Sequence, residues 1–79
     1  MKIIVLHDRY SNEPIIFRVD AINVIHKRVD EVEGSRDEYS NVTVGNMIFD
    51  VKEHTDVVMK KINAVENKHI SGEEKHDTN

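Results

Sequence analysis

The chain has 79 residues, no cysteine and a formal net charge of −4. That length predicts one domain with a core near the lower limit of self-sufficiency, and without cysteine neither disulfides nor thiolate-held zinc can reinforce it. The acidic balance argues against non-specific binding to nucleic acid, which requires a basic face.

The N-terminal segment MKIIVLHD carries one lysine and a short apolar run from Ile3 to Leu6. That run is shorter than the core of a signal peptide and much shorter than a membrane span. We therefore expect a cytoplasmic protein that does not insert into membranes.

The first predicted element is a β-hairpin. The β-branched run from Lys2 to Leu6 predicts a strand. Turn-forming residues then cluster in DRYSNEP, Asp8–Pro14, and the following strand, Ile15–Val19, alternates apolar and other side chains. The economical interpretation is strand, turn and strand.

The next segment, Asp20–Val29, predicts a brief turn at Asp20–Ile22 and then a strand from about Asn23 to Val29. Beyond it, Asp30–Ser40 contains five acidic residues, one arginine and Gly34. Like charges at this density repel each other and stay solvated, so the sequence predicts a mobile loop.

A second hairpin is predicted from VTVGNMIF. A two-residue turn at Gly45–Asn46 sets Val44 opposite Met47, and the glycine tolerates the positive φ that hairpin turns require. This register places the apolar side chains of both strands on one face: Val42, Val44, Met47, Phe49 and Val51. A slip by one residue would turn the whole set outward, so the pairing is well determined.

A C-terminal helix is predicted to begin near His54 or Thr55 and to end between Asn67 and His69. Val58, Ile62 and Val65 recur at helical spacing, which favours a core face that can also pack against a neighbouring protein. The remaining residues are polar, so we predict one domain over residues 1–68 and a disordered tail over 69–79.

The sequence therefore predicts an α+β fold with one small antiparallel sheet of about four strands and one C-terminal α-helix. Valine and isoleucine supply most of the apolar side chains, and they favour sheet over helix. A small sheet-forming chain tends to leave an apolar face or an open edge, and association is one remedy. We accordingly expect a homo-oligomer.

No arrangement of residues typical of catalysis or metal binding is found. The five histidines, His7, His26, His54, His69 and His76, offer no i,i+3 or i,i+4 pair on a helix and no alternating pair on a strand. The serines lie in turns and loops without the glycine pattern of a nucleophile elbow. We predict no catalytic residue, no metal, no cofactor and no enzymatic activity.

Two tyrosines and an acidic cluster are the remaining candidate interaction residues. Tyr10 and Tyr39 occur in near-identical contexts, RYSNE and EYSNV, which favours loop-to-strand junctions where the rings cover the edge of the core or form an interface. The acidic candidates lie beside Tyr39: Glu31, Glu33, Asp37 and Glu38.

Two phrases of the chain resemble a known family. The first is Val19–Ile22 with Ile25; the second runs from Val42–Gly45 through Val51–Glu53 to Asp56–Val58. They are similar to phrases of the FlbD/SwrD-type family of small flagellar and swarming-motility proteins, and the resemblance spans residues 2–62. The chain departs from that family in its acidic segment, its polar tail and its first hairpin turn, which lacks a short glycine-centred turn.

The family has no well-defined biochemical activity, so the resemblance implies an accessory role in motility and no reaction. The leading hypothesis is a non-enzymatic interaction module that binds itself and an unidentified protein. The alternative is a protein of a phage or mobile element. It would act as an acidic inhibitor that mimics nucleic acid, or as a sponge that holds a small ligand at a subunit interface.

Overall fold

The computed structural model describes residues 1–66, which form an α+β fold of five strands and one α-helix. The elements in chain order are β1 (Ile3–His7), β2 (Pro14–Arg18), a 3₁₀ turn (Val19–Ala21), β3 (Val24–Val32), β4 (Ser35–Val44), β5 (Met47–Val51) and α1 (Thr55–Glu66). β1 and β2 pair in one antiparallel sheet, and β3, β4 and β5 pair in that order in another. The predicted fold class is confirmed, while the single sheet of about four strands is matched only roughly.

The first hairpin is confirmed, and its turn is held by the Asp8 carboxylate. Asp8 Oδ2 accepts hydrogen bonds from the backbone N–H groups of Tyr10 and Ser11, both at 2.9 Å, and from Ser11 Oγ at 3.2 Å. The backbone donors, Ser11 before Tyr10, lower the pKa of Asp8. The turn therefore depends on an ionised carboxylate and needs no glycine.

The prediction of a mobile loop over Asp30–Ser40 is wrong. This segment is a hairpin, in which β3 continues to Val32 and β4 begins at Ser35. Glu33 and Gly34 connect the two strands with φ angles of 47° and 81°. Positive φ at both central residues is the signature of a type I′ turn, whose twist matches that of the paired strands. The acidic residues tolerate this pairing because the guanidinium groups of Arg9 and Arg36 bind their carboxylates.

The second hairpin has the predicted register, with Val44 opposite Met47 and Val42 opposite Phe49. Of the two central turn residues only Gly45 has a positive φ, 61°, which is the pattern of a type II′ turn. Val42 is buried, whereas Met47 is 58% exposed because it lies at the tip of the hairpin. The strand residues far from the turn are therefore buried in the core, whereas the turn end of this hairpin is exposed to solvent.

The two sheets meet where β1 runs past β5. Asp8 bridges Val51 in antiparallel pairing, and Arg9 N–H donates to Asp50 O at 2.8 Å. Lys52 N–H donates to His7 O at 2.9 Å. The strands are thus arranged β2, β1, β5, β4, β3, with one short contact joining the two sheets.

Six apolar side chains form the buried core among the described residues: Ile4, Leu6, Phe17, Val42, Val51 and Val58. The rings of Phe17 and Phe49 meet edge to face with centroids 5.2 Å apart, which joins the two sheets through their side chains. The core is small, since it takes one or two residues from each strand except β3.

Helix α1 closes this core. His54 O accepts hydrogen bonds from Val57 N–H and Val58 N–H, both at 3.0 Å, so His54 is the N-terminal flanking residue and Thr55 the first helical one. The predicted end of the helix and the predicted tail lie outside residues 1–66. Within that range, the helical segment lacks the length and apolar character needed to cross a bilayer.

Candidate interaction surface

The distal part of the β3–β4 hairpin extends beyond the core. Every residue from His26 to Asp37 is exposed, and we call this segment the arm. A two-stranded ribbon without a buried face is marginally stable in water. Its persistence as regular strands therefore requires contacts elsewhere in the molecule.

Arg9 provides those contacts at the base of the arm. Its Nη2 donates to Asp30 Oδ2 and to Asp37 Oδ2, each at 3.0 Å. Asp30 and Asp37 face each other directly across the two strands, an arrangement that is destabilising for like charges. A guanidinium between the two carboxylates converts that repulsion into attraction.

The Arg9 side chain is itself held by aromatic rings and is only 15% exposed. Its guanidinium carbon lies 3.8 Å from the ring centroid of Tyr39 and 5.3 Å from that of Tyr10, within the range of cation–π attraction. Tyr10 Oη donates in turn to Asp50 Oδ2 at 3.0 Å. Hydrogen bonds to Asp30 and Asp37 raise the pKa of Arg9, so this side chain stays charged.

The two tyrosines singled out from the sequence are thus brought together on one cation. Tyr10 lies in the first hairpin turn and is 71% exposed. Tyr39 lies within β4 and is half-buried, so its predicted place at a loop-to-strand junction is wrong, because β4 begins at Ser35. The sequence analysis did not identify Arg9 as an interaction residue. Its partners Asp30 and Asp37 lie 21 and 28 positions further along the chain, so no local pattern connects them to it.

The four predicted acidic residues do not form one continuous surface. Side chains alternate between the faces of a strand, which places Asp37 on the Arg9 side and Glu38 on the other. Glu31 pairs with Arg36 Nη1 at 3.0 Å, and Glu38 pairs with Arg36 Nη2 at 3.6 Å. Glu33 lies at the turn. Most of the acidic character of the arm is therefore neutralised locally.

The predicted helical stripe contributes to the core. Val58 is fully buried, and Ile62 and Val65 are partly buried against the core cluster. On the same helix, Lys61 Nζ donates to Val5 O at 2.8 Å and so covers part of the edge of β1 that faces away from β2. The stripe anchors α1 to β1, and its docking role stays a prediction.

A second polar cluster joins β1 to the start of the helix. His7 Nδ1 lies 2.6 Å from Glu53 Oε2, and His7 N–H donates to Glu53 Oε1 at 2.9 Å. Burial, the largest single influence, raises the pKa of Glu53, but the hydrogen bonds from the His7 ring and backbone outweigh it and lower the pKa overall. Buried Ser40 Oγ donates to Glu53 O at 2.7 Å, so the cluster positions the segment leading into α1.

The surface also has shallow apolar grooves. One of about 190 Å³ lies between β2 and the β4–β5 hairpin, lined chiefly by Ile15, Phe17, Val44 and Phe49. This groove is smaller than most ligand sites, which measure about 300–1,000 Å³. A hollow of about 340 Å³ beside Lys2, Asp20 and Glu66 reaches that size. Among residues 1–66, no three His, Asp or Glu side chains are arranged to hold a metal ion.

Comparison of the chain with models of known families, with curated proteins and with solved structures finds no match. The resemblance to the FlbD/SwrD-type family therefore remains a prediction. The arm and its support by Arg9 are the features from which a function has to be inferred.

Proposed function

We propose that the protein is a non-enzymatic interaction module of the cytoplasm that associates with copies of itself and with another protein. The observation that carries this proposal is the arm, which leaves the core with every residue exposed from His26 to Asp37 and is nevertheless held as paired strands. A chain gains nothing for its own core from such a segment. A protruding pair of strands is well suited to contact another protein surface.

The open edges of the sheets support the same proposal. In the described part of the chain, β2 pairs only with β1 and β3 pairs only with β4. Exposed β-branched side chains lie along both outer strands: Ile16 on β2, and Val24, Val29 and Val32 on β3. Unpaired edges with apolar side chains are templates for association, and a small core gains stability from a partner.

The resemblance to the FlbD/SwrD-type family suggests where such a module would act. The second resembling phrase ends on Val51–Glu53 and Asp56–Val58, which form the end of β5 and the start of α1. In the structure these residues build the fold: Val51 and Val58 lie in the core, and Glu53 binds His7 of β1. We propose an accessory role in motility.

The competing hypothesis of an acidic inhibitor gains no support from the geometry. A mimic of nucleic acid needs an array of free carboxylates, whereas Asp30 and Asp37 bind Arg9, and Glu31 binds Arg36. No observation favours the small-ligand sponge.

Size-exclusion chromatography with light scattering tests the self-association. We expect a mass above the 9.2 kDa of one chain at high protein concentration, falling on dilution. A matched control shortens the arm by removing residues 29–32 and 35–38, so that Arg28 and Tyr39 flank the same Glu33–Gly34 turn. This variant should keep the helical part of its circular dichroism and remain a single chain. A wild-type mass of one chain at every concentration would refute the proposal.

A further inference from the structure

We infer that two copies of the chain join through β3, paired antiparallel with Val29 opposite Val29, so that their three-stranded sheets become one continuous sheet. This inference rests on the proposed self-association and names the surface responsible. It is carried by three features of β3: a free edge, a charge pattern complementary to itself and carboxylate oxygens left available for a second partner.

The free edge follows from the turn. Val32 and Ser35 close the type I′ turn and are the hydrogen-bonded pair nearest to it. Backbone groups of successive residues point to opposite edges of a strand, so the N–H groups of Lys27, Val29 and Glu31 point away from β4. Within residues 1–66 no strand lies on that side, and every residue of β3 from His26 onward is exposed.

The charge pattern is the decisive feature. The middle of β3 reads Lys27, Arg28, Val29, Asp30, Glu31. When a second copy pairs antiparallel about Val29, Lys27 stands opposite Glu31 of that copy, and Arg28 stands opposite its Asp30. Two-fold symmetry repeats both pairs. Directly opposed unlike charges stabilise a strand pair, and like charges destabilise it.

Neighbouring registers lack this complementarity. The smallest shift that keeps corresponding faces aligned is two residues, because side chains alternate between faces. A shift in one direction sets Arg28 opposite Arg28, and a shift in the other sets Asp30 opposite Asp30. Charge therefore selects the register centred on Val29. It also selects a second copy of this chain over an unrelated strand, because the pattern complements its own reverse.

The charged groups can reach these pairs. Lys27 Nζ lies 3.9 Å from Glu38 Oε2 within the chain, a long contact between side chains that are 58% and 29% exposed, so the ammonium can also approach a second carboxylate. Arg28 makes no ion pair within the described residues. Asp30 uses only Oδ2 for Arg9, and Glu31 uses only Oε2 for Arg36. Each carboxylate keeps its other oxygen for a second cation. The Arg9 contact holds Asp30 in place beforehand, which reduces the entropy lost on association.

A disulfide test uses the absence of cysteine from the chain. In Val29→Cys the two α-carbons would lie about 5.5 Å apart across the interface, within disulfide range. In the control, Val32→Cys, the two cysteines would lie about 20 Å apart along the paired strands, although this side chain is the more exposed before association, 59% against 38% for Val29. We expect the first variant to form a covalent dimer under mild oxidation at least tenfold faster than the second.

A charge exchange provides the second test. Lys27→Glu alone and Glu31→Lys alone each set like charges across the interface, and each should weaken self-association about tenfold. An equimolar mixture restores unlike charges at both positions and should associate at least as tightly as the wild type. The mixture contains the same two variants, so damage to the fold cannot explain its recovery.

The outcomes separate this inference from the proposed function. If the wild type forms a dimer but Val29→Cys and Val32→Cys crosslink at equal rates, or the two charge variants fail to recover on mixing, the β3 interface is overturned and self-association still stands. A wild-type protein that remains a single chain at every concentration would overturn both.

Discussion

At the scale of single residues, Arg9 has the largest role in shaping the exposed surface. It binds two opposed carboxylates and contacts two tyrosine rings, and its backbone N–H joins the first hairpin to β5. One side chain thereby connects the first hairpin turn, both strands of the arm and the outer face of the second sheet. Such a connection allows a ribbon without a core of its own to stay ordered.

Replacement of Arg9 tests this role. In Arg9→Ala the carboxylates of Asp30 and Asp37 would face each other without a cation, and we expect faster amide exchange throughout the arm with little change in the core. Arg18→Ala is the matched control, since among residues 1–66 Arg18 pairs only with exposed Asp20. Hydrogen exchange followed by NMR makes the comparison. Equal amide exchange rates in the arms of both variants would show that Arg9 does not stabilise the arm.

Glu53 gives a prediction of pH dependence. Its pKa is lower in the folded chain than the ordinary value of 4.5, so its contribution to stability is present above that value and is lost as the pH falls through the folded pKa. We expect Glu53→Gln to lower the free energy of unfolding by about 1–2 kcal/mol at neutral pH. The difference from wild type should shrink below about pH 4.5.

Urea unfolding at a series of pH values measures that difference. Glu66→Gln, which removes an exposed pair with Lys2 at 3.5 Å, is the control and should differ little from wild type at any pH. A Glu53→Gln effect of constant size from neutral to acidic pH would contradict the assigned role of the carboxylate.

At the scale of the elements, the hairpins differ in how well the sequence predicts them. The β4–β5 hairpin has alternating apolar residues and a glycine at the first central turn position, and its register was predicted correctly. The arm has neither a regular apolar alternation nor an Asn-Gly or Asp-Gly turn, and its stability comes from Arg9. Because that partner is distant in the sequence, local charge density predicted a loop where strands exist.

The turn of the arm carries conformational strain that can be relieved. Glu33 has a φ of 47°, in the left-handed region that is costly for most residues and easier for asparagine. We expect Glu33→Asn to stabilise the arm by about 1 kcal/mol. Amide exchange in β3 and β4 should slow relative to the core, and Glu13→Asn at another exposed position should have no such effect. Unchanged or faster exchange in the arm would count against the type I′ turn.

Two adjacent valines of helix α1 allow the contribution of core packing to stability to be compared with that of a surface side chain. Val58 is fully buried and Val57 is 39% exposed. We expect Val58→Ala to lower the free energy of unfolding by about 2–3 kcal/mol and Val57→Ala to change it by less than about 0.5 kcal/mol. Thermal or urea unfolding measures both. Similar losses would mean that the helical stripe is not seated in the core as described.

At the scale of the whole molecule, composition predicted the fold class, since a chain rich in valine and isoleucine with one amphipathic segment yields sheets and a helix. The division into two sheets was not predicted, because it depends on the short contact of Asp8 and Arg9 with β5, which no local pattern indicates. The candidate surface was found in part. Tyr10, Tyr39 and Asp37 meet there, whereas Arg9, which brings them together, was missed.

Self-association is expected at the free edge of β3, and backbone amide exchange at increasing protein concentration is the most direct test of that surface. The N–H groups of Lys27, Val29 and Glu31 point away from β4, while those of Arg28 and Asp30 already bond to it. We predict that exchange at the first three slows as concentration rises, while exchange at the other two stays nearly constant. Exchange at Lys27, Val29 and Glu31 that is independent of concentration would show that β3 is not the interface.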